Sequence, residues 1–384
     1  IFMNRPKLKF SPPSYTKKEE KAVLECINNS WTGSGPKVKE FEKKFCEYKN
    51  SDYSAGFFSC TSALFLSLKV LGIKEGDEVI TTSMTFCSTV NSIINCGAVP
   101  VLCDIDKLTK NILTEEITKK ISPKTKAIIP VHFAGYPCKM DEIMEIARDN
   151  NLFVIEDCAH AIESKFNNQH CGTFGDIGCF SFYATKNIAI GEGGMAISKN
   201  KNLISKMSTL ALHGLSKDAW KRFDTSSKKS YDVIDIGYKM NMTDIQASIG
   251  LAQLSRIEEM RNKRIEIWNY YNENLKNTSL TLPSLPNAKT DFHALHLYTI
   301  CLPEDINRDE FVWKASNDFG ITFGVHYNAI PTFSAYKNYF PTNSIETLYP
   351  NALDYGKRTI SLSLSASVEL EECQRIVECI KSFL

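Results

Sequence analysis

In "SFYATKNIAIGEGG", residues 181–194, a single lysine, Lys186, follows an aromatic run and precedes a glycine-rich turn. A surface lysine needs no such setting, whereas an amine that must reach a bound molecule does. A lysine amine serves as nucleophile and base when it is held in place and at least transiently neutral. Upstream, Asp157 ends the apolar run "LFVIEDC", where a carboxylate can pair with a cationic nitrogen. "SCTSAL", residues 59–64, stands where strand-like sequence gives way to helix-like sequence, so N–H groups near Thr61 and Ser62 can hold a phosphate. Ser181 offers a hydroxyl to the same group, and Phe86 in "MTFCSTVNS" offers a ring face. The glycines from Gly191 to Gly194 let backbone pass close to the lysine.

Each feature alone also has a plainer reading: a turn aspartate, an ordinary helix cap, a core aromatic, a tight turn. As a set they match what pyridoxal phosphate requires of a protein. That cofactor needs an amine for its aldehyde, an acid at its pyridine nitrogen, donors for its phosphate and a surface on which to stack.

These residues must be positioned by an α/β frame. From about residue 50 to 200, short β-rich runs ("DEVITTS", "VPVLCDI", "KAIIPVHF", "LFVIEDC") alternate with helical stretches such as "DEIMEIARDNN". That alternation predicts a mostly parallel sheet with helices on its faces. Ligands of such sheets bind at the carboxyl ends of the strands, which draws attention to Asp104, His132 and Asp157. A capping box at Thr243 and Gln246 opens an amphipathic pattern through Ile249, Leu254, Ile257 and Met260, read as one helix running to about Leu275. "LPSLPNAKTD" then reads as a linker. The expected organisation is a large domain over 1–275, including an N-terminal arm, and a smaller α+β domain over 276–384.

Composition narrows the function classes. Across 384 residues, 45 Lys and Arg against 44 Asp and Glu leave a net charge of +1, which argues against a nucleic-acid partner. The 13 cysteines are odd in number and scattered, with no C-x-x-C pair and no H-E-x-x-H motif, so no metal site is expected. Reduced thiols fit a cytoplasmic protein. "IFMNRPKLKF" lacks the apolar core of a secretion signal. The uncharged run Val79–Cys103 is rich in Thr, Ser and Asn, and reads as strand, helix, strand rather than as a membrane span.

Several stretches, in order, resemble the DegT/StrS-type nucleotide-sugar aminotransferases, a branch of the fold-type-I pyridoxal-phosphate enzymes. They are "GPKVKEFEKKF", "SCTSALFLSL", "GDEVITTSMTFCSTVNSI", "VIEDCAHAIES", "GTFGDIGCFSFYATKNIAIGEGGMA", "LHGLSKDAWKRF" and "GYKMNMTDIQASIGLAQL". With "HALHLY" and "GVHY" the resemblance spans nearly the whole chain. It implies a seven-stranded-type, mostly parallel sheet and a smaller C-terminal α+β domain.

By this resemblance Lys186 is the Schiff-base lysine and Asp157 the partner of the pyridine nitrogen. Thr61, Ser62 and Ser181 correspond to phosphate contacts, and Phe86 to the stacking aromatic. His160 lies close to the cofactor ring, at a place where His goes more often with amination at C4 of the sugar. His326 corresponds to the sugar site, and Lys217 and Arg222 to a loop that meets nucleotide phosphates. Where many members read G-Y-N-x-R, this chain reads "GYKMN", so by the resemblance either Lys239 or Asn241 takes the part of reaching the phosphate in a neighbouring subunit.

The implied protein is a homodimer with shared active sites. It moves an amino group from glutamate or glutamine, through the pyridoxamine form of the cofactor, to a nucleotide-linked 4-keto-6-deoxy sugar. Three alternatives remain: a sugar dehydratase, an aminotransferase for a smaller phosphorylated ketone, and a cofactor-binding regulator. The dehydratases of this fold carry histidine in place of the lysine that stands here as Lys186.

Overall fold

The computed structural model describes residues 7–216, 232–340 and 342–384. Seven strands form the main sheet: β1 (Tyr53–Phe57), β2 (Glu78–Thr82), β3 (Val99–Cys103), β4 (Thr125–Ile129), β5 (Phe153–Asp157), β6 (Ile177–Ser181) and β7 (Gly194–Ser198). Their order is β1-β7-β6-β5-β4-β2-β3. Every pairing from β3 to β6 is parallel, and β7 runs antiparallel to both β6 and β1.

Near-continuous apolar runs are what a sheet covered on both faces demands. Val79, Ala127, Ile129 and Ile155 pack with helices Cys60–Val70, Cys87–Asn95 and Lys201–Ala211. Their strand neighbours Ile80, Ile128 and Val154 point the other way, onto helices Thr114–Lys120 and Met140–Asp149. The period of two along each strand therefore builds two separate cores. The run Val79–Cys103 is strand, helix, strand, as its polar residues indicate, and no helix of the described residues is long and apolar enough to cross a membrane.

A further core gathers Leu8, Trp268, Tyr271, Tyr298, Phe311, Ile360 and Ile376. It is framed by β8 (Tyr298–Cys301) paired antiparallel with β9 (Thr359–Leu362), and by helices Arg308–Asp318 and Leu370–Lys381. Met84, Val90 and Phe133 near the sheet's strand ends pack against Leu297, Ile330, Tyr336 and Tyr355. That contact holds the C-terminal chain over the carboxyl ends of the strands.

The helix expected to run unbroken from Thr243 to about Leu275 is two helices, Asp244–Leu254 and Ile257–Leu275. The capping box at Thr243 and Gln246 is present. At the break, Arg256 leaves helical geometry with φ −116° and ψ 8°. Its guanidinium bonds Glu19 at 2.9 Å and Glu259 at 3.2 Å, with its own side chain only 5% exposed. A continuous helix satisfies the apolar period but not this buried pair. Charge placement overrides periodicity here.

Candidate active site

Lys186 sits in the crossing from β6 to β7. The crossing is pinned by Lys186 N–H to Tyr183 O at 2.8 Å, Ile190 N–H to Phe182 O at 2.9 Å and Phe182 N–H to Gly193 O at 2.9 Å. Gly191 turns the chain with φ +88°. Gly194 presses so closely on the entry to helix Cys60–Val70 that a Cβ there would lie 2.4 Å from the Ser59 backbone carbon. This turn therefore brings the lysine loop and the helix N-terminus together, and only glycine permits it.

The result is a cavity of about 470 Å³. Lys186, Asp157, His160, Ser181, Thr61, Phe86 and His326 all line it. These expected residues come from β5, β6, two helix entries and the C-terminal chain.

Asp157, at the end of β5, is 3% exposed. It accepts Thr89 Oγ1–H at 2.8 Å and Ala159 N–H at 3.1 Å. Burial raises its carboxyl above the ordinary range against the opposing pull of Thr89, Ala159 and Lys186. Burial likewise lowers the Lys186 amine to about 8, although Asp157 and Cys60 pull it up. Both groups are thereby poised to exchange charge with a ligand.

His160 is held neutral, its pKa driven well below the ordinary value by burial and then by Lys186, His296 and His326. Its Nδ1 accepts Ala134 N–H at 3.2 Å, so Nε2 carries the proton and donates to Tyr327 Oη at 3.0 Å. Tyr327 then has its own O–H left for the cavity that it lines. His326 is lowered to about 3 by burial and Lys186, and meets Ser361 Oγ through Nδ1 at 2.8 Å. Phe86 is 57% exposed, with its ring 5.9 Å from that of Tyr327.

Other expected residues stand differently. Ser62 N–H bonds the capping Ser59 Oγ at 3.1 Å, its side chain is buried, and it does not line the cavity. The helix cap has claimed that donor, which leaves Thr61 as the cavity-facing member of the pair. Lys239 and Asn241 do not line the cavity of their own chain. Asn241 donates to Ser34 Oγ at 2.5 Å, and its Oδ1 is buried without a partner. Lys217 and Arg222 lie outside the described residues.

Asp104 and His132, the other polar residues near strand ends, are committed elsewhere. Asp104 caps the helix Pro350–Arg358 by accepting N–H from Asn351 and Ala352, both at 2.9 Å. His132 bonds Glu156 at 3.1 Å and accepts Cys138 N–H at 3.0 Å.

Tyr327, Tyr183, Thr185 and Glu192 also line the cavity, and Thr89 and His296 touch its key groups, although their residue types and spacing do not single them out in the sequence. Tyr327 and His296 sit inside "GVHY" and "HALHLY", where more than one polar residue competes for notice.

With this geometry in place, comparison with known proteins becomes specific. Residues 13–381 match the DegT/DnrJ/EryC1/StrS aminotransferase family. This chain belongs to that family. A relative from Bacillus subtilis (strain 168), "Spore coat polysaccharide biosynthesis protein SpsC", is 39% identical over 98% of this chain and 97% of its own. Among solved structures, "Putative sugar aminotransferase Spr1654" from Streptococcus pneumoniae is 31% identical in its PMP form. Its TM-score is 0.89, over 98% of this chain and 97% of that one. "Helicobacter pylori PseC, aminotransferase involved in the biosynthesis of pseudoaminic acid" is 28% identical with TM-score 0.89, covering 98% of both chains. The pneumococcal protein is also known in a PLP form.

The chain is thus an aminotransferase of the DegT/DnrJ/EryC1/StrS family, and its cavity fits pyridoxal phosphate on its own terms. A buried carboxylate with unfilled hydrogen-bonding capacity and the half-buried Lys186 amine line one space large enough for a cofactor and part of a substrate. Ser59, Cys60 and Thr61, at the entry of helix Cys60–Val70, line the same cavity, where a helix N-terminus favours an anion.

Proposed function

We propose that this aminotransferase moves an amino group from glutamate, or glutamine, to a nucleotide-linked 4-keto-6-deoxyhexose in surface-polysaccharide biosynthesis, acting in the cytoplasm with pyridoxal phosphate. The observation that carries the reading is the joint placement of Lys186 and Asp157 in one cavity. The names of the Bacillus, pneumococcal and Helicobacter proteins supply the sugar and polysaccharide part. Retention of Lys186, Asp157 and Ser181 weighs against a dehydratase or a silent regulator.

Bound pyridoxal phosphate supplies an electron sink that makes an amino-acid α-proton removable and carries the amino group between two half-reactions. Lys186 would hold the cofactor's aldehyde carbon between turnovers. Once freed, its amine would take the proton from the donor's α-carbon and deliver it two bonds away, to the cofactor carbon on the other side of the nitrogen. An amine lowered to about 8 is neutral often enough to do so. Asp157 keeps the ring nitrogen protonated. Thr61 and Ser181 hold the phosphate, and Phe86 covers a ring face. His160 and Tyr327 present a fixed donor toward the ring or sugar oxygen, and His326 lines the sugar end. Lys217 and Arg222 are proposed to meet the nucleotide.

The working unit in this reading is a homodimer. Phe58, Val233, Ile234 and Ile236 are exposed apolar side chains, Ile236 to 85%. They flank the strand-like segment 239–241, where Phe58 N–H bonds Met240 O at 3.0 Å. Such a cluster needs cover. A partner seated there would bring Lys239 or Asn241 to the other subunit's phosphate. Light scattering that finds an active monomer would remove the dimer.

The reaction is tested by the absorbance of protein loaded with pyridoxal phosphate. Glutamate alone should convert the visible band to the near-ultraviolet band of the pyridoxamine form, and a 4-keto sugar nucleotide should restore it. Lys186→Ala should lose the wild-type visible band and transamination together. Turnover retained in that variant would sink the reading.

A further inference from the structure

Lys186 does not face the cavity unsupported. Behind it a line of polar groups, the half-buried Asn187 and the buried His296, Glu163 and Arg264, leads away from the site. The Asn187 amide nitrogen donates to Glu163 Oε2 at 2.8 Å and to the Ala294 carbonyl at 2.9 Å. Both N–H groups are committed, which fixes the end of the amide that is oxygen. Glu163 is held in turn by Arg264, and the two side chains are 1% and 3% exposed. Asn187 Oδ1 therefore meets His296 Nδ1 at 3.0 Å purely as an acceptor. His296 must carry its proton on Nδ1, and its bare Nε2 faces Lys186 Nζ at 3.5 Å. The neighbouring His160, ring to ring at 4.5 Å, has the opposite tautomer.

The tautomer decides what kind of base the lysine can be. Beside an unprotonated ring nitrogen, a neutral amine donates one of its own N–H bonds and keeps its lone pair. Beside a protonated one, it accepts, and the lone pair is occupied. We propose that Asn187, held by Glu163 and Arg264, locks His296 as the Nδ1–H tautomer, so that the freed Lys186 amine is anchored through its own N–H with its lone pair directed at the cavity. His296 and Asn187 are positioning residues acting on Lys186. The inference rests on the reading of Lys186 as the reacting amine. It assigns work to "HALH", to the Asn of "TKN" and to the Glu of "AIES", which that reading leaves idle.

The test uses full-length protein saturated with pyridoxamine phosphate, in which the Lys186 amine is free. Trace acetylation by acetic anhydride over a neutral-to-alkaline pH series, read at Lys186 by mass spectrometry, measures lone-pair availability. Asn187→Leu releases the lock, and Lys186 should acetylate roughly fivefold more slowly, the worth of one neutral hydrogen bond. His296→Leu offers neither donor nor acceptor, so acetylation should stay near wild type while the donor half-reaction slows because the amine is no longer anchored. The double variant should return to the His296→Leu level.

Wild-type acetylation in Asn187→Leu overturns the proposal. So does a double variant as slow as Asn187→Leu, since Asn187 would then act through packing alone. If Asn187→Leu does not fold, ¹⁵N shifts of His296 in the unaltered protein decide: a protonated Nε2 overturns the lock, and a bare Nε2 upholds it. A donor that leaves the cofactor band unchanged would defeat the proposed function without altering the order of acetylation rates.

Discussion

Glu156 and Asp157 are adjacent on β5, both are buried, and only one faces the cavity. Glu156 accepts from His132 Nε2 at 3.1 Å, Gly172 N–H at 2.6 Å, Phe174 N–H at 2.8 Å and Gly175 N–H at 2.9 Å. Burial pushes its carboxyl up, yet those donors outweigh it and hold it below the ordinary value. Asp157 accepts one hydroxyl and one N–H, and burial keeps it above its ordinary value. The period of two sends the first carboxylate to the structural side and the second to the cavity. Unfilled capacity, not residue type, separates a site carboxylate from a scaffold carboxylate.

The largest effect expected from this contrast is on the side away from the chemistry. Glu156→Ala strips an acceptor from a buried histidine and three backbone N–H groups. Each orphaned buried donor costs about 1–3 kcal/mol, so the sum rivals the whole stability of a typical fold. Little soluble protein should be recovered, and any that is should show a denaturation midpoint far below wild type. A Glu156→Ala protein as stable as wild type would dissolve the distinction.

Asp157→Asn should do the reverse. The amide keeps the volume; its oxygen can accept Ala159 N–H and its NH2 can donate to Thr89 Oγ1, whose own proton turns to Thr85, so the denaturation midpoint should move little. An amide cannot hold a proton on a ring nitrogen as a carboxylate does, so kcat for the donor half-reaction should fall by about 10²–10⁴-fold. Stopped-flow loss of the visible band on adding glutamate measures it. A modest loss of rate with a large loss of stability would make Asp157 a scaffold residue like its neighbour.

Much of this contrast was legible beforehand. The alternation of apolar runs and helical stretches foretold the sheet, and "LFVIEDC" placed a carboxylate at the carboxyl end of β5. "SFYATKNIAIGEGG" supplied the lysine and the glycine contact that bring it to helix Cys60–Val70. What stayed hidden depended on partners distant in sequence. Nothing in "IED" says that Glu156 is surrounded by N–H groups from residues 172–175. In "SCTSAL" the plainer reading, an ordinary helix cap, is the one Ser62 follows, and sequence alone does not say that this takes it away from the phosphate. His296 acquires its meaning only through Asn187 and Glu163, more than 100 positions away. The break at Arg256 likewise turns on Glu19 in the N-terminal segment. Periodicity reports which face is buried, whereas hydrogen-bond saturation is a property of the assembled fold.

The smallest effect sharpens the contrast from inside the cavity. Thr89, on helix Cys87–Asn95, donates to Asp157 at 2.8 Å and shares a bond of the same length with Thr85. Thr89→Val keeps the shape and removes one neutral-to-charged hydrogen bond, worth about 1.5–3 kcal/mol in general. Asp157 can recover part of that from its cationic partner when the cofactor is bound. The rate loss should therefore be about tenfold, well short of that for Asp157→Asn. Raising the carboxyl further should also weaken its hold on a protonated ring nitrogen, so the variant should release the cofactor faster on dialysis. Glu156 has no comparable dependence on a single donor: loss of one of its four leaves three. If Thr89→Val matches Asp157→Asn in rate, then Asp157 works only in the orientation that Thr89 imposes, and its capacity is less open than the two-bond geometry indicates.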